Sequence, residues 1–135
     1  MPTSNRMITL LVGDTIALLI FAAIGRNSHG AAIGPAAFAQ VFTTALPFLV
    51  GWLISAPLFG AYSPSTTANP LIMLRHTSIA WVAALLLGAV IRATMIGRFS
   101  PFSFYVVTFI VALFILCGWR ALFAVWEERG SLGRR

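Results

Sequence analysis

Acidic side chains are nearly absent from this sequence: three of 135 residues are Asp or Glu, and Asp14 is the only acid before Glu127. That scarcity removes the enzyme site built on two poised carboxylates, because Glu127 and Glu128 lie beyond the last apolar run and Asp14 has no acidic companion. Lysine is missing altogether. The nine basic residues are all arginine, scattered at the ends of apolar runs and in loops, so there is no basic reading stripe and nucleic acid is not an expected partner. Cysteine is limited to Cys117 within an apolar run, which excludes a disulfide framework or a metal cage within one chain. The two histidines, His29 and His76, fall at opposite membrane faces, so paired axial ligation of a haem is excluded. No glycine-rich phosphate loop follows a strand, and Ser28-His29 reads as a loop dipeptide rather than a nucleophile with its base. The expectation is a chain without cofactor, metal or enzymatic activity.

What the chain has in abundance is apolar surface. Hydrophobic residues make up 59% and charged residues 9%, with a mean hydropathy of +0.93, well outside the range of soluble domains. A hydrocarbon layer of roughly 30 Å needs about 20 apolar residues per helix. Four runs meet that length, predicting helices at about 5–25, 36–58, 71–97 and 101–126. The fold class is therefore all-α, an integral membrane four-helix bundle with short loops, a single transmembrane domain over residues 1–135 and no soluble domain. The first run resembles a signal peptide in position, but a secretory core is shorter and carries no charge, so Asp14 marks it as a retained helix.

Local punctuation divides the runs. Gly25-Arg26-Asn27-Ser28-His29-Gly30 ends the first, and Gly34-Pro35 restarts the chain. Pro47 removes a hydrogen bond to residue 43 and predicts a bend in the second helix unless Thr43 or Thr44 compensates. Residues 63–69 read as a loop. Asn69-Pro70 carries cap and first-turn chemistry, and Ser100-Pro101 repeats it ahead of the fourth helix. The tail after Trp126 reads as short and frayed. Arg6, Arg75, Arg129, Arg134 and Arg135 share one face, against loop residues Arg26 and Arg98 on the other, which predicts both termini on the cytoplasmic side of the inner membrane.

Two groups of residues carry chemistry. Asp14 lies roughly 10 Å into the first helix and Arg120 roughly 9 Å into the fourth from the same face, at 1.5 Å per residue. A lone charge at the membrane centre costs about 2.5–3.5 kcal/mol on insertion scales, so the matched depths predict an intramembrane ion pair between Asp14 and Arg120. Such a pair serves either as a pin fixing helix register or as a proton or ligand site. At the other face Arg26, His29 and Arg92, with Arg98 nearby, form a cationic group without an acid. A lipid phosphate, a carboxylate or an inorganic anion is its natural guest, whereas snorkelling to headgroups is the alternative use of each arginine.

Small residues form a third pattern. Ala80, Ala84 and Gly88 recur every four residues in the third helix, with Arg92 continuing the row, and Thr44, Gly51 and Ser55 give the second helix a weaker counterpart. Such rows let helices approach closely, within the bundle or between protomers. Trp52, Trp81, Trp119 and Trp126 read as interfacial anchors and packing residues.

Taken together, Asp14, the segment Phe21-Ala22-Ala23-Ile24-Gly25-Arg26 with Ser28-His29-Gly30, Pro47-Phe48 with Trp52, Gly88 with Arg92, and Gly118-Trp119-Arg120 resemble an uncharacterised bacterial four-helix membrane protein family, domain of unknown function 3054. The resemblance implies fold and membrane location and carries no activity, substrate or cofactor. Residues 63–69 are the part it matches least.

The functional expectation is a non-catalytic multi-pass membrane protein holding an anionic lipid headgroup or small anion at Arg26, His29 and Arg92, with membrane lipids as partners. Two alternatives stay open. One is a structural or assembly subunit of a larger membrane complex, or a homo-oligomer, joined through the small-residue faces. The other is a small oligomeric proton-coupled transporter using Asp14, with Pro47 as a hinge.

Overall fold

A computed structural model of the chain describes residues 3–27, 34–67 and 69–133, leaving aside the side chains of Thr3, Arg26 and Asn27. Four long helices and one short turn of helix follow in order: α1 (Thr3–Asn27), α2 (Pro35–Leu58), α3 (Pro64–Thr67), α4 (Pro70–Ile96) and α5 (Phe102–Leu132). The four long helices are each long and apolar enough to cross a membrane. This is a multi-pass membrane bundle, in which α1, α2, α4 and α5 form a closed ring of neighbouring contacts with α2 against α4 the most extensive. Its outer surface is apolar too, with Phe38, Phe102 and Phe114 largely exposed, as a lipid-facing surface requires.

Helix boundaries follow local chemistry. Asn69 caps α4, its side-chain oxygen accepting from the backbone N–H groups of Leu71 and Ile72. Gly97, at φ 77, closes the same helix in the left-handed conformation. Three expectations are corrected. Ser100 does not cap α5, because its hydroxyl accepts from Arg92 instead. Residues 63–69 are not loop throughout, since α3 occupies their middle with Thr66 and Thr67 buried. The tail is not frayed from Glu127, because α5 continues to Leu132. Helix α2 runs unbroken through Pro47 and Pro57. Thr43 and Thr44 donate to the carbonyls of Ala39 and Gln40, one turn earlier than the carbonyl Pro47 leaves without its donor.

Aromatic rings fill the centre. Phe48 contacts Phe21 of α1, Trp81 of α4 and Phe104 of α5, with centroids 6.3, 6.4 and 6.1 Å away, so one side chain of α2 touches all three other long helices. Gly88 makes room for it: a Cβ there would lie 2.6 Å from the Phe48 ring. Gly51 is tighter in kind, because its Cβ would lie 2.5 Å from the backbone oxygen of Ala84. The row Ala80, Ala84 and Gly88 is buried inside the bundle against α2 rather than offered to another protein. Trp52 and Trp81 are core residues, both fully buried, while Trp126 is well exposed and suited to an interface.

Gly51→Leu is accordingly expected to destabilise the bundle by about 1–3 kcal/mol, since backbone on α4 cannot yield as a side chain can. Gly118→Ala adds a methyl that meets nothing within 4 Å and should be neutral or stabilising. Thermal unfolding in detergent followed by circular dichroism checks both, and equal midpoints for the two variants would contradict the packing.

Candidate functional site

Asp14 of α1 and Arg120 of α5 form a two-point ion pair. Nε of Arg120 donates to Oδ1 at 3.0 Å and Nη2 to Oδ2 at 2.6 Å, and both residues are fully buried. This fork geometry uses the planar guanidinium fully and fixes the carboxylate's orientation. A second pair joins the same helices nearer their ends, where Arg6 Nη2 meets Glu127 Oε2 at 2.7 Å. The charges alternate, so α1 supplies first the base and then the acid. Eight residues separate the two positions on α1 and seven on α5, about 12 and 10 Å of rise, which is the spacing of one antiparallel register. Beside the inner pair Gly13 seats the Trp119 ring, leaving no room for a Cβ.

The connection after α2 completes the inner site. Gly60, at φ 72, ends α2 in a left-handed turn, with its N–H bonded to the Pro57 carbonyl and the N–H of Ala61 reaching back to Ala56. That turn sends the next residues inward. The Ala61 carbonyl accepts from Arg120 Nη1 at 2.8 Å, and the Tyr62 hydroxyl donates to Asp14 Oδ2 at 2.5 Å. Trp52 Nε1 of α2 lies 3.0 Å from the Tyr62 hydroxyl oxygen and 3.3 Å from Asp14 Oδ2, donating toward both. The Arg120 guanidinium carbon lies 5.0 Å from the Tyr62 ring and 5.4 Å from that of Trp52, within cation–π range. Burial, followed by the adjacent Asp14, pushes the Tyr62 phenol well above its ordinary value. A raised phenol value means the native state holds the proton more tightly, so this hydrogen bond is intact below the unfolded tyrosine value of about 10 and fails only as the pH rises through the folded one.

The opposite end of the bundle holds the cationic residues. Arg92 Nε donates to Ser100 Oγ at 3.1 Å, and its guanidinium carbon stands 4.7 Å from the Phe104 ring centroid. The Ser100 N–H donates to the Tyr105 hydroxyl at 3.1 Å, so the turn that holds Arg92 is itself held. Arg92, Arg98, Ile96, Phe99, Ser100 and Phe104 line a cleft of about 420 Å³ at the α4–α5 turn. No described carboxylate pairs with either arginine, and the three acids of the chain lie elsewhere. Of the expected group of Arg26, His29 and Arg92, His29 and the side chain of Arg26 lie outside the described residues. Among the described residues no group of His, Cys, Asp or Glu is placed to hold a metal ion.

The family model for a protein of unknown function (DUF3054) matches residues 11–123. The chain belongs to that family. No curated protein and no solved structure matches it. The matched span contains Asp14, Trp52, Tyr62, Arg92 and Arg120 and stops short of Glu127, so within this family member the inner pair lies inside the shared domain and Arg6–Glu127 lies outside it.

Sequence reading reached Asp14 and Arg120 through matched depth but missed Tyr62, Ala61 and Trp52. The available signal was Gly60 shortly after Pro57, the mark of a left-handed helix end that returns the chain to its own bundle. Asp14→Leu or Arg120→Met alone is expected to cost about 3–5 kcal/mol by stranding a buried charge, and the double variant should recover much of that loss. A double-mutant cycle of unfolding in detergent checks it. Strictly additive losses would show that the pair is not coupled.

Proposed function

We propose that this membrane protein is non-catalytic and binds an anionic group, phosphate or carboxylate, in the cleft at the α4–α5 turn. The observation that carries the reading is the pair Arg92 and Arg98 on one cleft with no described carboxylate to neutralise them. Ser100 and Phe104 hold the Arg92 guanidinium in place, which lowers the ordering cost of engaging an oxyanion. Arg26 and His29 belong to the same end by sequence and would add donors to the same guest. The guest's source is a lipid headgroup or a small anion, and the apolar lining from Ile96, Phe99 and Phe104 suits the former.

Other readings have less behind them. The small-residue row of α4 is consumed within the bundle, so an assembly subunit would need a different contact face. Proton-coupled transport through Asp14 would require a carboxylate that is now fully buried and bonded to Arg120, Tyr62 and Trp52 to become accessible.

Native mass spectrometry and thermal shift of the purified protein, with phosphatidylglycerol, phosphatidylcholine or inorganic phosphate added separately, test the proposal. Retention of phosphatidylglycerol alone identifies a lipid headgroup, and stabilisation by phosphate identifies a small anion. In either case Arg92→Ala should weaken binding by about tenfold, as loss of one charge-assisted contact implies. If neither guest is retained and Arg92→Ala leaves the unfolding midpoint unchanged, the cleft has no such role.

A further inference from the structure

Both arginine–carboxylate pairs between α1 and α5 also hold the same connecting segment, residues 59–67. Arg120 Nη1 donates to the Ala61 carbonyl at 2.8 Å, and Arg6 Nη2 donates to the Thr67 carbonyl. Three further side-chain bonds fasten it, from Tyr62 to Asp14 at 2.5 Å, from Trp52 Nε1 of α2 to the Tyr62 hydroxyl at 3.0 Å, and between His76 Nδ1 and the Phe59 carbonyl at 2.8 Å. The segment's own backbone bonds, as described, stay within itself and its immediate neighbours, the end of α2 and Asn69. Its hydrogen bonds to α1, α4 and α5 therefore all run through side chains. Gly60 with its positive φ, Pro57 before it and Pro64 after it punctuate the segment.

We propose that residues 59–67 form a lid that controls water access to the Asp14–Arg120 pair, with Arg6–Glu127 as the outer latch and Tyr62 and Ala61 as the inner one. The inference is independent of the anion-binding reading. The two latches are unequal. The outer pair has side chains 14% and 30% exposed, whereas the inner pair is fully enclosed, so water competes for the outer latch first. Arg6 also keeps a buried Nε without a partner, so the outer guanidinium is incompletely satisfied in the closed state. Lifting the lid would leave Asp14, Arg120 and the Trp52 N–H facing one space, each able to hydrogen-bond water. The lid's tyrosine hydroxyl and alanine carbonyl occupy those positions now, as one donor to the acid and one acceptor for the base.

Two measurements on the full chain in lipid nanodiscs test this. Hydrogen–deuterium exchange is compared for the unaltered protein, Glu127→Gln and Tyr62→Phe. Ser55→Cys, a buried position of α2 before the lid, is introduced with Cys117→Ala and labelled with a water-soluble maleimide alone and together with Glu127→Gln. The lid predicts that Glu127→Gln speeds exchange across residues 59–67 and labelling at position 55 by about fivefold, with α4 amides unchanged. Tyr62→Phe should loosen residues 59–63 alone. Unchanged exchange in both variants, with labelling unchanged by Glu127→Gln, would make the segment a fixed cap, and faster exchange throughout all four helices would make the latch a general support; either result overturns the lid.

Discussion

A buried guanidinium bound to a buried carboxylate organises this bundle. In hydrocarbon neither charge is tolerable alone, and water is not there to replace a lost partner. The two helices that carry them must therefore lie side by side, antiparallel and in one register. Arg6 and Glu127 repeat the constraint farther along with the charges exchanged. A slip of one turn would separate both pairs, so alternation of sign selects the register more sharply than either pair could.

The rest of the interior accommodates that pair. Arg120 has more donors than Asp14 can accept, and the carboxylate has more acceptor sites than Arg120 fills. Ala61, Tyr62 and Trp52 supply the difference, and the chain can deliver the first two only because Gly60 turns it back into the bundle. Away from this polar layer the packing is aromatic and close, with Phe48 at its centre, Gly88 opposite it, and Gly51 where the α2 backbone approaches that of α4. The protein is thus polar, with its charges paired, at one depth and cationic without acid at the other end. That contrast is why we propose anion binding at the α4–α5 turn rather than at the ion pair.

Much of this was legible in the residues, for identifiable reasons. Long apolar runs, Asn69-Pro70 and Gly34-Pro35 report on local structure, which depends on nearby chain alone. Asp14 and Arg120 were legible because a membrane assigns each residue a depth, and depth is a one-dimensional quantity that residue spacing supplies. Ser100 was misread because its hydroxyl has two uses, capping α5 or holding Arg92, and only the approach of α4 decides between them. The helix beyond Trp126 was misread for a similar reason: Glu127 looked like the start of a polar tail until Arg6 appeared opposite it.

By itself, the order of residues determined that the chain spans a membrane four times with one acid in its interior, because transfer of apolar helices and of charge into lipid are properties of single segments. Which surfaces meet was settled only in three dimensions. The return of Tyr62 to Asp14, the use of the alanine–glycine row inside the bundle, and the convergence of Arg92 with Ser100 and Phe104 all depend on rotation of each helix about its axis. Rotation is chosen by the sum of contacts around the ring of helices, and no segment carries that sum alone.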